Sequence, residues 1–310
     1  MFKRKDLLEI KSLEKNEILH ILETAKEMKK MIENPSLRRD ELKNTSLLTL
    51  FYENSTRTKM SFMLAADYLG AKPEDLGIST SSVNKGESLI DTGVTLDMMG
   101  VDIFVIRHSL TGASHLLAKN VKASVINAGD GSNEHPTQAL LDMFSIMEKG
   151  KNFDGLNICI VGDILNSRVA RSNVFGLTKL GANVTLAGPS TLISKNMETL
   201  AKNVTVTTDV ANAIKNADVI MGLRVQFERQ TKATFPNTRE YHEFFGINEE
   251  MLKLCKDDVI IMHPGPVNRG VELSTGVIDH KNSIINEQVK NGVAVRMAII
   301  KLLMENKRNS

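Results

Sequence analysis

Apolar residues at Ile18, Ile21, Leu22, Ala25, Met28 and Ile32 recur at steps of three and four along residues 14–34, which predicts an amphipathic helix. A polar stretch with Pro35 follows, and residues 46–52 (SLLTLFY) then read as a buried strand. Short β-rich apolar runs recur from there, at 102–107 (DIFVIR), 124–128 (SVINA), 156–161 (LNICIV), 183–187 (NVTLA), 203–208 (NVTVTT), 217–223 (ADVIMGL) and 258–263 (DVIIMH). Stretches with helical spacing separate most of them. Strands alternating with helices imply doubly wound parallel sheets with right-handed crossovers, an α/β fold. The polar, Gly-containing stretch 148–155 (EKGKNFDG) parts two such sets, so the expected first domain is 1–148 and the second 149–285. A last helix, at about 286–305, lines up Val289, Val293, Met297, Ile300 and Leu303/Met304 on one face. Residues 286–310 are assigned back to the first domain, which both chain ends would then close.

Composition narrows the functional classes. The 310 residues are 42% hydrophobic and 25% charged, ordinary for a globular protein of two domains. Lys and Arg number 39 against 37 Asp and Glu, a net charge of +2. That balance argues against a general nucleic-acid or membrane-surface binder. The two cysteines, Cys159 and Cys255, form neither a C-x-x-C pair nor a disulfide framework, and Cys159 reads as a small core residue. None of the seven histidines has metal-ligand spacing, so neither a metal nor another cofactor is expected. The charged N-terminus is no signal segment, and no apolar run approaches the ~18 residues of a membrane span. A cytoplasmic location is expected.

The candidate chemistry gathers where strands end. Ser55, Thr56, Arg57 and Thr58 follow the first strand and open a helix. Free N–H groups and the positive end of the helix dipole favour an anion there, and an arginine fork matches phosphate oxygens. One hydroxyl would satisfy an ordinary cap; four polar residues in a row exceed that need. Arg107 ends DIFVIR and aims at the same crevice if both strands share a sheet. His135 and Gln138, in HPTQ, lie on one face at a helix start whose first turn holds Pro136. They suit a carbonyl oxygen and an amide, though a histidine at a cap is as often structural. The polar segment SSVNKGES, with Ser81 and Lys85, reads as a loop, either merely solvated or able to bring Lys85 to an anion.

In the second domain Gly162 stands where a dinucleotide fold places its glycines, but G-x-G-x-x-G is absent, which argues against a nicotinamide cofactor. Arg168 instead puts a cation there. Arg224 and Gln226 alternate with apolar neighbours, so they share a face, and two arginines suit a dicarboxylate. His263-Pro264-Gly265-Pro266 makes a stiff turn, open to a cis bond, that serves equally as a connector or as a set of backbone acceptors.

Seven motifs in order, FYENSTRT, SSVNKGES, VIRH, NAGDGSNEHPTQALLD, VGDILNSRVARSN, LRVQFER and HPGPVNRG, resemble the aspartate carbamoyltransferase catalytic chains of the aspartate/ornithine carbamoyltransferase superfamily over nearly the whole length. The resemblance implies two α/β domains with the active site in the cleft between them, and a homotrimer in which Ser81 and Lys85 reach a neighbouring subunit's site. A larger assembly is compatible with it. It implies that Ser55, Thr56, Arg57, Thr58, Ser81, Arg107, His135, Gln138 and backbone groups of Pro264, Gly265 and Pro266 bind carbamoyl phosphate. Arg168, Arg224 and Gln226 would bind L-aspartate, and Lys85 would touch both substrates. Arg57, Thr58, Lys85, Arg107 and His135 would act in catalysis. The implied reaction forms N-carbamoyl-L-aspartate and phosphate, the committed step of de novo pyrimidine biosynthesis. Ornithine carbamoyltransferases share the STRT and HP-x-Q elements but carry an H-C-L-P turn and an S-M-G-type loop; HPGP and the R-x-Q of 224–226 stand here instead and favour aspartate. Gly265 departs from the more usual Leu or Ala. The alternatives are another amine, such as ornithine or an acylated ornithine, and a non-catalytic phosphometabolite-binding protein.

Overall fold

A computed structural model describes residues 2–38, 40–78, 85–226 and 237–308. The chain forms two compact units, one running to Leu141 and resuming at Lys290, the other covering Asp142–Val289.

The first unit holds α1 (Lys15–Glu33), β1 (Ser46–Phe51), α2 (Thr56–Tyr68), β2 (Lys72–Leu76), α3 (Leu89–Met98), β3 (Ile103–His108), α4 (Ala113–Asn120) and β4 (Ser124–Asp130). Its sheet has the order β2-β1-β3-β4 and is parallel throughout. Leu7 adds a bridge on the outer side of β4, where its N–H donates to Val125 O and its carbonyl accepts from Asn127 N, both at 2.9 Å. β1 and β3, the central strands, are buried over most of their length, as those of a parallel sheet covered on both faces must be, and β4, flanked by the Leu7 bridge, is buried throughout. Leu48, Leu50, Phe104, Ile106, Leu117 and Val125 form one core beside this sheet. α1 buries Ile18, Ile21, Leu22, Ala25 and Met28 as its spacing predicts, but its last buried residue is Met31 rather than Ile32.

One strand escapes the hydrophobic pattern. β2 reads KPEDL and is mostly exposed. It lies at the sheet edge, where only one side needs ladder partners, so Pro73 and charged side chains are tolerated and discourage further pairing.

The second unit holds β5 (Asn157–Val161), α6 (Arg168–Leu180), β6 (Asn183–Ala187), β7 (Val204–Thr207), α7 (Val210–Lys215), β8 (Val219–Gly222), α8 (Thr238–Phe245), α9 (Glu249–Leu252), β9 (Ile260–Met262) and α10 (Thr275–Ile278). Its parallel sheet has the order β7-β6-β5-β8-β9. Cys159 is fully buried in the core with Val161, Ile214, Ile220, Ile261 and Leu273, and burial pushes its thiol pKa up to about 12.

The chain passes from the first unit to the second within α5 (Pro136–Glu148) and returns within the final helix, α11 (Ile285–Arg308). The final helix is longer than its pattern predicts, and its buried surface is different. Val289 is 58% exposed, whereas 294–300 and 302–304 are buried. A helix apolar nearly all round is a core helix, not an amphipathic one. Its polar residues lock it to the first unit. Arg296 Nη1 donates to Ser61 Oγ at 2.9 Å, Lys307 Nζ pairs with Asp102 Oδ1 at 2.8 Å, and Lys301 pairs with Glu41. Among the described residues, no helix is long and apolar enough to cross a membrane.

Candidate functional site

In an open parallel sheet, ligands collect beyond the carboxyl ends of the strands where the winding reverses. In the first unit that point is β1, with β2 on one side and β3 on the other. β1 and β3 end together, since Phe51 is in register with Arg107 and Tyr52 N donates to Arg107 O at 2.9 Å. Ser55 is the N-cap of α2 in extended conformation, yet its side chain makes no capping hydrogen bond. Thr56 and Arg57 are exposed in the first turn and Thr58 is buried. The hydroxyls, the first-turn N–H groups and an arginine thus stand together at the positive end of a 13-residue helix.

Arg107 reaches across neighbouring strand ends. Its Nη2 donates to Glu53 Oε1 at 3.0 Å and its Nη1 to Ala128 O at 3.3 Å. Beside it, the His108 ring lies 4.8 Å from that of Tyr52, and its Nδ1 accepts from Leu110 N at 2.9 Å. Burial pulls the His108 pKa below the ordinary histidine value, and because Nδ1 accepts from Leu110 N, the neutral ring carries its proton on Nε2.

His135 and Gln138 are buried at the start of the helix Pro136–Glu148, with Pro136 at its first position. Gln138 N and Ala139 N both donate to His135 O, at 3.0 and 3.2 Å. The loop that presents them is held by buried polar groups. Asn127 Nδ2 donates to Asp130 Oδ1 and to Leu8 O, both at 2.8 Å, and Asn127 Oδ1 accepts from Gly129 N at 2.8 Å. Glu134, 1% exposed, accepts from Ile10 N at 2.7 Å and Lys11 N at 3.1 Å. Lys85 is exposed, three residues before Ser88, the N-cap of α3. Ser81 lies outside the described residues.

The second unit reverses its winding at β5, between β6 and β8. Gly162 follows β5 at φ +135°, and a Cβ there would lie 2.8 Å from Leu223 O, so the two strand ends approach as closely as only glycine permits. Arg168 opens α6 and is 5% exposed; Ser167 caps that helix by accepting from Ala170 N at 3.1 Å. Beyond β8, Arg224 and Gln226 are partly exposed while Val225 between them is fully buried, the alternation expected of extended chain. Gln226 Nε2 donates to Asn166 O at 3.2 Å, and Gln226 N to Asp163 Oδ2 at 3.4 Å. Arg168, Arg224 and Gln226 therefore lie beyond the ends of the neighbouring strands β5 and β8 of one sheet. The rest of the LRVQFER motif lies outside the described residues.

The turn after β9 contains a cis bond at Gly265–Pro266. Gly265 N donates to His263 Nδ1 at 2.8 Å, and His263 N to Gln288 Oε1 at 3.0 Å. Gln288 Nε2 in turn donates to Asp142 Oδ1 at 2.8 Å, whose other oxygen accepts from Asn173 Nδ2 at 2.9 Å. Pro264, Gly265 and Pro266 are thus presented by a turn braced from beneath.

Sequence reading did not single out Glu134, Asp142, Asp163 or Glu272, the acids that hold these segments. A charged residue flanked by apolar ones, as in Val271-Glu272-Leu273, is the signal that marks one of them. Among the described residues, no group of three or more His, Cys, Asp or Glu is arranged to hold a metal ion.

Residues 5–148 match the carbamoyl-P binding domain of aspartate/ornithine carbamoyltransferase, and residues 154–303 match the Asp/Orn binding domain of the same family. The aspartate carbamoyltransferase catalytic subunit of Acetivibrio thermocellus is 58% identical over 98% of this chain and 96% of its own. Among solved structures, the catalytic subunit of M. jannaschii aspartate transcarbamoylase superposes with a TM-score of 0.85 at 36% identity, covering 99% of this chain and 100% of that one. Ornithine carbamoyltransferase from Pyrococcus furiosus superposes at 0.87 and 30% identity, with 97% of each chain covered.

Proposed function

This chain belongs to the aspartate/ornithine carbamoyltransferase family, and from that premise we propose that it transfers the carbamoyl group of carbamoyl phosphate to L-aspartate, giving N-carbamoyl-L-aspartate and phosphate. This is the committed step of de novo pyrimidine biosynthesis. The observation that carries the reading is the match to an aspartate carbamoyltransferase along nearly the whole of both chains. Overall fold does not decide the amine, because an ornithine enzyme superposes equally well. The second unit's Arg168, Arg224 and Gln226 favour a dicarboxylate over a cationic amino acid, whose side-chain ammonium two arginines would repel.

In this reading Ser55, Thr56, Arg57 and Thr58 receive the phosphate, joined by Lys85 and Ser81 of a neighbouring subunit in a homotrimer. Thr58, Arg107 and His135 face the carbonyl oxygen, while Gln138 and backbone groups of Pro264, Gly265 and Pro266 hold the amide. Arg168, Arg224 and Gln226 orient aspartate, with Lys85 touching both substrates. The neutral amine attacks the carbonyl carbon and charge builds on the carbonyl oxygen, where positioned donors stabilise it. The bond between that carbon and the bridging oxygen of the phosphate then breaks, Arg57 steadies the departing phosphate, and the phosphate takes the amine proton. No protein nucleophile is required; much of the acceleration comes from fixing two anions in one orientation. The enzyme works in the cytoplasm.

The test is a colorimetric assay of ureido product with carbamoyl phosphate and either L-aspartate or L-ornithine. Product with aspartate alone is expected. Product with ornithine alone would overturn the amine assignment, and none with either would overturn the transferase reading.

A further inference from the structure

Past Gly222 the β8 ladder ends, yet Val225 is fully buried, so its N–H needs a partner that no strand supplies. The partner is Glu272, itself 3% exposed, whose Oε1 accepts from Val225 N at 2.7 Å. The same carboxylate takes Asn268 N on Oε2 and Asn268 Nδ2 on Oε1, both at 2.8 Å. The Val225 side chain packs with Leu192 and Tyr241, and the partly buried Val271 packs against the same cluster. Val225 is thereby pinned by both its backbone and its side chain, and its two neighbours are turned to the opposite face. Those neighbours are Arg224 and Gln226.

We propose that Glu272 is a positioning residue for the amine substrate, its buried carboxylate fixing the Val225 backbone so that Arg224 and Gln226 present their polar groups in register. The inference rests on the aspartate reading given above. The bond to Val225, at 2.7 Å, is shorter than the bonds of Gln226 to the β5–α6 loop, at 3.2 and 3.4 Å. The Pro264–Pro266 turn is less dependent on Glu272, because His263 Nδ1 and Gln288 brace it independently. Loss of the carboxylate therefore acts on aspartate more than on carbamoyl phosphate.

The experiment compares Glu272→Gln with wild type in steady-state kinetics and in amide hydrogen exchange. Glu272→Gln keeps the shape but loses the charge and turns one acceptor oxygen into a donor, so the Val225 and Asn268 amides compete for the one oxygen left. We expect the aspartate KM to rise roughly tenfold, the loss of one charged hydrogen bond. The carbamoyl phosphate KM is expected to stay within about threefold, because its side of the turn keeps its own braces. Exchange at the Val225 amide is expected to accelerate while the β5 amides stay protected. An unchanged aspartate KM in the folded variant overturns the proposal, and so does a proportionate rise in both KM values. If Glu272→Gln fails to fold, Glu272→Asp, which keeps the charge but withdraws the carboxylate by one methylene, gives the same readouts. Should wild type not use aspartate at all, the functional reading fails separately, and unchanged exchange at Val225 still overturns the role of Glu272.

Discussion

Replacing Glu134 by alanine tests how the chain's beginning supports the loop that carries His135. The carboxylate is 1% exposed and accepts from Ile10 N at 2.7 Å and Lys11 N at 3.1 Å. Ile10 is itself fully buried, so its N–H has little water to turn to. A buried charged hydrogen bond is worth about 1.5–3 kcal/mol, and the longer, part-buried bond to Lys11 adds less. Removing the carboxylate also relieves its own desolvation, which offsets part of the loss. The net expectation is a destabilisation of about 2–4 kcal/mol. For a unit of this size that corresponds to a Tm lower by roughly 5–15 °C in scanning calorimetry. Glu134→Gln, which keeps one acceptor for Ile10, should lose about half as much. The bridge of Leu7 to β4 survives both changes, so the N-terminal segment loosens rather than detaches. A Tm for Glu134→Ala within about 2 °C of wild type would refute the reasoning.

Three further outcomes are expected. Arg57→Ala should lower kcat by roughly a hundredfold or more with the fold intact, because the side chain is exposed on the first turn of α2; near-normal turnover would remove Arg57 from catalysis. Arg224→Ala should raise the aspartate KM by ~10–150-fold, the equivalent of a lost charged hydrogen bond, and an unchanged KM would count against its role. Arg4 grips Glu17 through two bonds of 2.7 Å and holds its carboxyl below the ordinary 4.5. A depressed carboxylate stabilises the fold above its unfolded pKa and loses that contribution as pH falls through its folded value. Wild-type Tm should therefore decline below about pH 5 more steeply than that of Arg4→Gln, and parallel curves would show the pair to be inert.

The strand framework was legible because central strands of parallel sheets are buried on both faces and read as continuous apolar runs, as in SLLTLF and NICIV. β2 was not, since an edge strand has no such obligation and KPEDL carries no apolar signal. The final helix misled in a different way. Its apolar residues fit one stripe at Val289, Val293 and Met297, but additional residues at Ala294, Val295, Ala298 and Ile299 widen the stripe until no polar face is left along much of its length. Burial on all sides depends on what packs around a helix, which its own periodicity does not state.

The cation-bearing segments were legible for a related reason, and the acids that hold them were not. Arg107 lies at the end of β3, and Arg57, Arg168 and Arg224 lie in the loops or first helical turns beyond β1, β5 and β8, so a correct strand assignment fixes their place at a sheet's carboxyl edge. Glu134, Asp163 and Glu272 act on backbone N–H groups far away in sequence, with separations of 124, 63 and 47 residues to Ile10, Gln226 and Val225. No local pattern encodes such a partner. The division has a physical cause. A site for anionic substrates exposes its positive groups at loops, where the sheet's ladder has ended and backbone donors are left over. Buried carboxylates can satisfy those donors and stiffen the loops, while lying on the far side of the backbone from the substrate, where their charge opposes binding least. Acids one layer beneath a cationic site are thus a consequence of building it on strand ends, and Glu272 beneath Val225 is the case in which removing one such acid should be felt by one substrate alone.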